Sequence, residues 1–171
     1  MTLHEFTVHL DRPLSSDDLD RLYTAGLDDT VPEITAGSAV LHVARRCDSL
    51  VQAILTVVAD IERAGFQATG IDSEDLVTLA DIGEKTNRTR ESVRLLAGGK
   101  RGPGGFPAPI TDAGSRSLYS WAAVREWFRT HYGPDSAAPA DRAADTLAAA
   151  DLLLRARLLT TDITELSQLV A

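Results

Sequence analysis

The chain has 171 residues, of which 44% are hydrophobic and 25% charged, and its formal net charge is −8. These proportions are ordinary for a soluble globular protein. The sequence has no apolar run approaching about 18 residues, no basic and apolar leader after Met1, and Cys47 as its single cysteine. We therefore expect no membrane span, no secretory signal, no internal disulfide and a cytoplasmic location.

The charge is distributed unevenly along the chain. Residues 1–75 hold 5 Lys/Arg against 14 Asp/Glu, residues 76–133 hold 9 against 5, and residues 134–171 hold 3 against 6. The three net charges are therefore −9, +4 and −3. A basic segment between acidic ones is typical of an interaction module. The alternative is a solvated face without a partner, but the basic segment coincides with the motif described below, which favours a function.

Residues 1–73 contain alternating strand and helix patterns. Period-two alternation predicts a first strand with Phe6, Val8 and Leu10 buried. Ser15 or Ser16 then caps a helix, for which the predicted buried stripe is Leu19, Leu22 and Tyr23. Two strands follow around the Ala36-Gly37 turn, with Leu41 and Val43 facing inward. A helix over residues 50–64, with Leu50, Ile54, Val57, Val58 and Ile61 at helical spacing, precedes a last strand over residues 66–71.

This β-α-β-β-α-β order predicts a ferredoxin-like domain whose helices cover one face of the sheet. The open face would carry Thr7, His9, Val40 and His42. Two histidines on neighbouring strands suggest a metal, but no further ligand stands at a suitable spacing, so we expect surface or interface histidines and no cofactor. The third strand lacks the aromatics that an RNA-binding sheet uses, and no catalytic arrangement is recognisable.

The polar segment at residues 73–77 reads as a hinge into a helix-turn-helix. Thr78 and Asp81 form a capping box for a helix over residues 79–85, and a turn at residues 86–88 leads to a second helix over residues 89–97, capped by Thr89. Val93 and Leu96 lie on its buried face, which leaves Arg90, Glu91 and Arg94 opposite. The first turn of a recognition helix meets base edges, and Arg matches guanine N7 and O6. The alternative is a helical hairpin with solvated arginines.

The next segment predicts a β wing. Residues 98–105 are glycine-rich and too irregular for a helix or strand, so Lys100 and Arg101 would reach phosphates from a flexible loop. No Lys-Ser/Thr pair follows the glycines, which excludes a phosphate-binding P-loop. Residues 106–110 are extended by their prolines, residues 111–116 turn, and residues 117–119 return as a strand. A last helix, capped by Ser120, buries Trp121, Val124, Trp127 and Phe128.

Four elements follow one another in this segment: Leu79-Ala80-Asp81-Ile82, the Arg-bearing helix, Phe106-Pro-x-Pro-Ile110 and Tyr119-x-Trp121-x-x-Val124-x-x-Trp127-Phe128. Together they resemble the winged helix-turn-helix of MerR-like and AlpA/excisionase-like DNA-binding proteins. The resemblance covers roughly residues 77–130. It implies that the second helix enters the major groove and that the wing contacts the backbone or minor groove. This chain differs by a longer glycine-rich loop and by the large domain in front. The predicted DNA-binding residues are Arg88, Thr89, Arg90, Ser92, Arg94, Lys100, Arg101 and Arg116.

The C-terminal segment follows a Pro/Ala-rich linker at residues 133–140. Leu147, Leu154 and Leu158, extended by Leu152 and Leu159, form an apolar stripe on one helix. Ile163, Leu166, Leu169 and Val170 form another. These helices either pack on the N-terminal domain or pair with a second chain.

The sequence thus predicts an α+β chain of three parts: an acidic ferredoxin-like regulatory or dimerisation domain (1–73), a winged helix-turn-helix (74–133) and C-terminal helices (141–171). We expect a non-enzymatic, homodimeric bacterial transcriptional regulator that binds double-stranded DNA. The alternative is a protein-interaction adaptor, an antitoxin- or phage-defence-like component that uses its helix-turn-helix against a protein. Whether residues 1–73 also bind a regulatory protein or a small ligand stays open.

Overall fold

The computed structural model describes residues 1–35, 37–113, 116–138, 141–160 and 162–166, with the side chains of residues 35, 112, 113, 116, 163 and 164 left undescribed. The chain is mixed α+β and contains a four-stranded antiparallel sheet. It divides into two compact units, Met1–Asp72 with Thr146–Ala171, and Ser73–Asp145. Among the described residues, no helix is both long enough and apolar enough to cross a membrane.

The first unit alternates strands and helices. Its elements begin with β1 (Thr2–Leu10), α1 (Ser16–Thr24), β2 (Thr30–Thr35), β3 (Ser38–Cys47), α2 (Leu50–Arg63) and β4 (Ala68–Ile71). The strands pair antiparallel in the order β2-β3-β1-β4. Thr35 pairs with Ser38 at the end of the β2–β3 hairpin. Ala36, in the predicted turn, lies outside the described residues.

One face of this sheet forms the core of the first unit. Phe6, Val8 and Leu10 of β1 are buried, as are Leu41 and Val43 of β3, as the period-two pattern predicted. Helix α2 contributes Ala53, Ile54, Val57 and Ile61 to the same core. The predicted positions Leu50 and Val58 are partly buried against it. His42 is exposed on the opposite face.

The buried side of α1 differs from the prediction. Leu22 is buried, but Leu19 and Tyr23 are 38% and 70% exposed, while Asp18 is only 7% exposed. The Asp18 carboxylate accepts hydrogen bonds from the N–H and the hydroxyl of Ser15 at 3.0 and 2.8 Å. These bonds hold the pKa of Asp18 well below its usual value. The Asp18 carboxylate must point toward Ser15 at the start of the helix to accept these bonds. The side of the helix that carries Asp18 and Leu22 therefore turns inward.

The last strand starts later than predicted. The N–H of Gly65 bonds the carbonyl of Glu62, and the N–H of Phe66 bonds that of Ile61. Gly65 has φ +83°, so this is a Schellman cap that ends α2. Phe66 therefore belongs to the helix end rather than to β4, which begins at Ala68.

A buried arginine ties β3 to neighbouring segments. Arg45 is 8% exposed. Its guanidinium donates to the Asp29 carboxylate at 2.7 and 2.9 Å, to Asp60 at 2.7 Å and to the Gly26 carbonyl at 2.8 Å. The hydrogen bonds to Asp29 and to Asp60 raise the pKa of Arg45 further above its usual value. The positive charge is thus matched by two carboxylates, as a buried charge requires.

Two C-terminal helices follow in the sequence, α6 (Arg142–Leu159) and the single turn α7 (Ile163–Leu166), and the residues from Thr146 onward belong to the first unit. Leu154 is buried in the first core, with Leu147 and Ala150 packed against it. Packing in cis, one of the two alternatives, is therefore present. The predicted stripe is wrong at Leu158, Leu152 and Leu159, which are 48%, 65% and 87% exposed. Leu169 and Val170 lie outside the described residues.

The stripe fails because a carboxylate occupies the inward position beside Leu154. Asp151 is 6% exposed, and its Oδ1 accepts a hydrogen bond from the N–H of Ile71 at 2.9 Å. Its Oδ2 accepts one from Arg155 at 2.8 Å. A Cβ on Gly70 would stand 2.8 Å from Asp151 Oδ1. Asp151 of α6 thus gives the Ile71 N–H of the edge strand β4 a hydrogen-bond acceptor, which this N–H would otherwise lack.

The second unit consists of β5 (Leu76–Val77), α3 (Leu79–Lys85), α4 (Arg90–Ala97), β6 (Thr111–Ala113), β7 (Arg116–Ser120), α5 (Trp121–Tyr132) and a 3-10 turn (Pro134–Ser136). Its sheet has the strand order β5-β7-β6. The predicted hinge at residues 73–77 is wrong, because Leu76 and Val77 pair with β7. Residues 111–113, predicted as part of a turn, are a strand. Gly114 and Ser115, at the predicted wing turn, are not among the described residues.

An aromatic core holds the second unit together. Trp121, Val124, Trp127 and Phe128 of α5 are buried as predicted. Phe106 packs edge-on against Trp127, with their ring centroids 4.9 Å apart. Such pairs add stability beyond their buried area. The chain before β6 is thereby anchored to α5.

Part of the predicted linker at residues 133–140 packs on this core. Ala137 is buried, and the N–H of Ala138 donates to the Lys85 carbonyl at 3.1 Å. The Asp145 carboxylate accepts two hydrogen bonds from Arg125, at 3.1 and 2.9 Å. The second unit therefore continues past the predicted boundary at residue 133 to Asp145. Residues 139 and 140 lie outside the description.

Candidate nucleic-acid interface

The turn between α3 and α4 is closely packed. Thr78 and Asp81 form the predicted capping box at the start of α3. At its end, the N–H of Arg88 donates to the Gly83 carbonyl at 2.7 Å, and Asn87 has φ +52°. A Cβ on Gly83 would stand 2.7 Å from the Arg88 carbonyl oxygen. Because this neighbour is backbone, the residue at this position must be glycine for the helices to approach so closely.

Helix α4 presents a basic face to solvent. The Thr89 hydroxyl accepts a hydrogen bond from the Ser92 N–H at 3.1 Å and caps the helix as predicted. Val93 and Leu96 are fully buried. Arg90, Glu91 and Arg94 are exposed, and we call these three residues the outer face of α4. A rigid, capped helix with one buried side therefore displays two arginines and one carboxylate.

Arg94 is held by Glu91 through two hydrogen bonds. Arg94 Nε donates to Glu91 Oε2 at 2.8 Å, and Nη2 donates to Oε1 at 2.6 Å. These bonds lower the pKa of Glu91, and the charges of Arg94, Arg90 and Lys100 lower it further. The same pair raises the pKa of Arg94. Three cations therefore favour the charged form of one carboxylate, and their charges outnumber it.

The glycine loop, residues 98–105, returns from the end of α4 without helix or strand. The N–H of Lys100 donates to the Leu95 carbonyl at 2.9 Å, which fixes the beginning of the loop. Trp127 Nε1 donates to the Gly104 carbonyl at 3.0 Å, which fixes its far end. Lys100 and Arg101 are exposed, and within the described ranges neither forms a salt bridge. The loop thus adds two cations at the end of α4.

Arg88 has a different environment from the other predicted residues. Its guanidinium carbon lies 4.6 Å from the ring centroid of Tyr132 and 5.3 Å from that of Phe128. Such contacts stabilise a protein by cation–π attraction. Arg88 is half-buried and packs on α5, a structural role that the sequence pattern did not indicate. Ser92 is half-buried as well, and the Arg116 side chain lies outside the described part.

The two histidines on the open sheet face pair with separate carboxylates. His9 Nε2 lies 2.6 Å from Asp72 Oδ1. His42 Nε2 lies 2.8 Å from Glu33 Oε2, and its Nδ1 lies 3.1 Å from the Thr7 hydroxyl. Within the described residues, no three metal-ligating side chains gather at one point.

The sequence pattern placed Glu91 on the outer face of α4 but did not indicate that its carboxylate is hydrogen bonded to Arg94. The available signal was the Glu–Arg spacing of three residues, which brings side chains together on a helix.

Comparison with known proteins finds no family model, no curated protein and no solved structure that matches this chain.

Proposed function

We propose that this chain is a bacterial transcriptional regulator that binds double-stranded DNA in a sequence-dependent manner. In this proposal α4 lies in the major groove, and the glycine loop with the β6–β7 hairpin lies along the phosphates. The chain works as a homodimer without catalytic activity and acts in the cytoplasm.

The finer fold assignment belongs to the same proposal. The element order β1-α1-β2-β3-α2-β4 and the strand order β2-β3-β1-β4 support a ferredoxin-like domain. Two capped helices joined by the turn at Asn87 stand between the first strand and the last two strands of the sheet β5-β7-β6, and this arrangement supports a winged helix-turn-helix. The MerR-like or AlpA/excisionase-like relationship rests on the sequence resemblance alone.

The outer face of α4 carries the functional argument. A recognition helix contacts base edges with residues near its N-terminus, and α4 begins at Arg90. Its opposite side, Val93 and Leu96, is buried in the core, so the helix has a fixed orientation. Arginine can donate two parallel hydrogen bonds to guanine, which is the commonest specific base contact. A rigid helix with outward arginines is therefore suited to reading a groove.

The surrounding groups fit contacts with phosphate. Lys100 and Arg101 are exposed beside the end of α4, and Thr89 is exposed at its start. Side chains of this kind position a protein on the duplex without reading sequence. The acidic first unit would be repelled by the same phosphates, which restricts DNA contact to the basic segment.

The adaptor alternative is less consistent with this surface. A helix that binds a protein groove presents apolar anchors at i, i+3 and i+4. The outer face of α4 instead presents Arg90, Glu91 and Arg94, all charged. A charged face is better suited to a polyanion than to an apolar groove.

The proposal is tested by fluorescence anisotropy with a library of random duplexes. With about four phosphate contacts per module, log K should fall against log [salt] with a slope near −3.6, and about twice that for a dimer. Arg90→Ala should reduce discrimination between sequences, whereas Lys100→Ala should weaken binding to all sequences alike. Arg129→Ala is the matched control, because it removes one exposed arginine from α5 of the same unit. No retained duplex and a flat salt response would refute DNA binding.

The homodimer has its own support and test. Leu152, Leu153 and Leu159 of α6 are 65%, 58% and 87% exposed, and such side chains are suited to an apolar interface. Sedimentation equilibrium should give twice the chain mass for the wild type and a lower mass for Leu152→Glu. A wild-type chain that stays monomeric at micromolar concentration contradicts this part of the proposal.

A further inference from the structure

The geometry points to a role for Glu91 that deepens the proposed function and rests on it. We propose that Glu91 is a positioning residue that holds Arg94 in the orientation needed to read a guanine in the major groove. The partner is thereby narrowed to a duplex site with a guanine opposite Arg94. Glu91 itself contributes selectivity between sequences and no affinity for DNA in general.

The hydrogen bonds between the two side chains leave the right donors available. A guanidinium has five N–H groups. Arg94 uses one on Nε and one on Nη2 for Glu91, which occupies the side of the guanidinium. Its remaining N–H groups are on Nη1 and Nη2, at the end of the fork. These two nitrogens can donate in parallel to guanine O6 and N7, which is the arrangement that distinguishes guanine.

Holding the side chain in advance favours specific contact. A free arginine side chain has many rotamers, and ordering it on binding opposes association. Arg94 is 49% exposed and Glu91 is 63% exposed, so the pair stands at the surface of the protein within reach of a partner. Because Glu91 fixes the guanidinium plane beforehand, an aligned guanine gains both hydrogen bonds with little further ordering.

The negative charge of Glu91 distinguishes the positioning of Arg94 from a general contribution to DNA affinity. Phosphates repel a carboxylate, so Glu91 opposes non-specific binding along the backbone. It also neutralises part of the charge of Arg94, which reduces the attraction of that arginine to any phosphate. A group that weakens binding to all sequences while orienting a base-reading side chain raises the ratio of specific to non-specific affinity.

The inference is tested by selecting preferred duplexes from a random library with the full-length wild type and with Glu91→Ala. We expect the wild type to select guanine at one or more positions, with a roughly tenfold to hundredfold preference over other bases. Glu91→Ala should lose the preference at the position that Arg94→Lys also loses. Its affinity for unrelated duplexes should rise several-fold, because one negative charge is removed. Arg94→Lys keeps the positive charge and should retain binding to unrelated duplexes.

Glu126→Ala is the matched control. Glu126 also faces an arginine three residues later, Arg129, at 4.0 Å, but on α5. It should change neither the selected sequence nor the affinity for unrelated duplexes. Folding of every variant is checked by the fluorescence of Trp121 and Trp127, which are buried in this unit. If Glu91→Ala fails to fold, Glu91→Gln, which keeps the size but cannot accept both hydrogen bonds, replaces it.

A second experiment identifies the atom that is read. Replacing the selected guanine by 7-deazaguanine removes N7 and should weaken the wild type, but it should have little effect on Glu91→Ala. Two results overturn the inference and leave DNA binding intact. One is an unchanged guanine preference in Glu91→Ala, and the other is loss of the preference for a neighbouring cytosine instead. Failure of the wild type to retain any duplex overturns the proposed function itself, and the two failures are thereby distinguished.

Discussion

Replacing Gly83 by alanine tests whether close packing fixes the angle between α3 and α4. Local helix preference alone predicts stabilisation, because alanine is favoured over glycine inside a helix by about 1 kcal/mol. The structure predicts the opposite. The added Cβ would lie 2.7 Å from the carbonyl oxygen of Arg88 and 3.3 Å from the N of Arg90, below the 3.4 Å of ordinary contact.

The obstructing atoms cannot move easily. The Arg88 N–H is hydrogen bonded to the carbonyl of Gly83 itself at 2.7 Å, so moving the turn away breaks the bond that forms it. Overpacking of this kind costs about 1–3 kcal/mol, and we expect the upper half of that range because backbone is involved. After the helix preference is subtracted, Gly83→Ala should destabilise the second unit by about 1–2 kcal/mol, or roughly 5–15 °C in Tm.

Tryptophan fluorescence measures this unit selectively. The two tryptophans of the chain, Trp121 and Trp127, are both in the core of the second unit. Ala80→Gly is the control, since Ala80 is exposed on the same helix and should lose about 1 kcal/mol through helix preference alone. A Gly83→Ala variant as stable as the wild type, or more stable, would show that the turn yields and that our reasoning about its packing is wrong.

Three further predictions concern other sites. Asp151→Ala removes the acceptor of the buried Ile71 N–H and should destabilise the first unit by about 1–3 kcal/mol. Hydrogen exchange of the Ile71 amide should then be faster, and unchanged protection counts against the edge-capping role. Arg45→Met removes the partner of Asp29, leaves the partly buried Asp60 with Arg63 alone and should lower stability by about 3–5 kcal/mol in urea unfolding followed by circular dichroism. An unchanged midpoint is the contrary result. Hydrogen bonds from Thr78 lower the pKa of Asp81, so its stabilisation is complete above the ordinary carboxyl pKa near 3.9 and is lost as pH falls below it. Asp81→Asn should lose about 1 kcal/mol of stability near pH 7. Its free energy of unfolding, followed by tryptophan fluorescence, should also fall less steeply at acid pH than that of the wild type. An equally steep fall in the variant would show that Asp81 does not cause it.

The pairing of Arg94 with Glu91 also clarifies what a basic motif can mean. The sequence pattern treats Arg88, Arg90 and Arg94 as equivalent cations on a helix-turn-helix. The structure gives them three environments: one stacks on Tyr132, one is open to solvent and one is hydrogen bonded to a carboxylate. Only the last two stand on the outer face of α4, which is why the proposed contacts concentrate there.

Some features of this protein are determined by the sequence itself, because their signals are local. The bounds of α3, the capping of α4 by Thr89 and the buried face formed by Val93 and Leu96 depend on residues within one or two helical turns. The alternation of β1 is local in the same sense. Each of these was predicted correctly from spacing and capping rules.

Other features depend on contacts between residues far apart in the chain. The bond from Ile71 to Asp151 spans 80 residues, and that from Ala122 to Asp75 spans 47. No periodicity within α6 reveals that one of its carboxylates must face inward to satisfy a strand edge. Nor does a polar segment before α3 indicate that it pairs with β7. Local patterns fix where helices and strands begin and end, whereas the need to satisfy buried N–H groups and charges decides which side of each one turns inward.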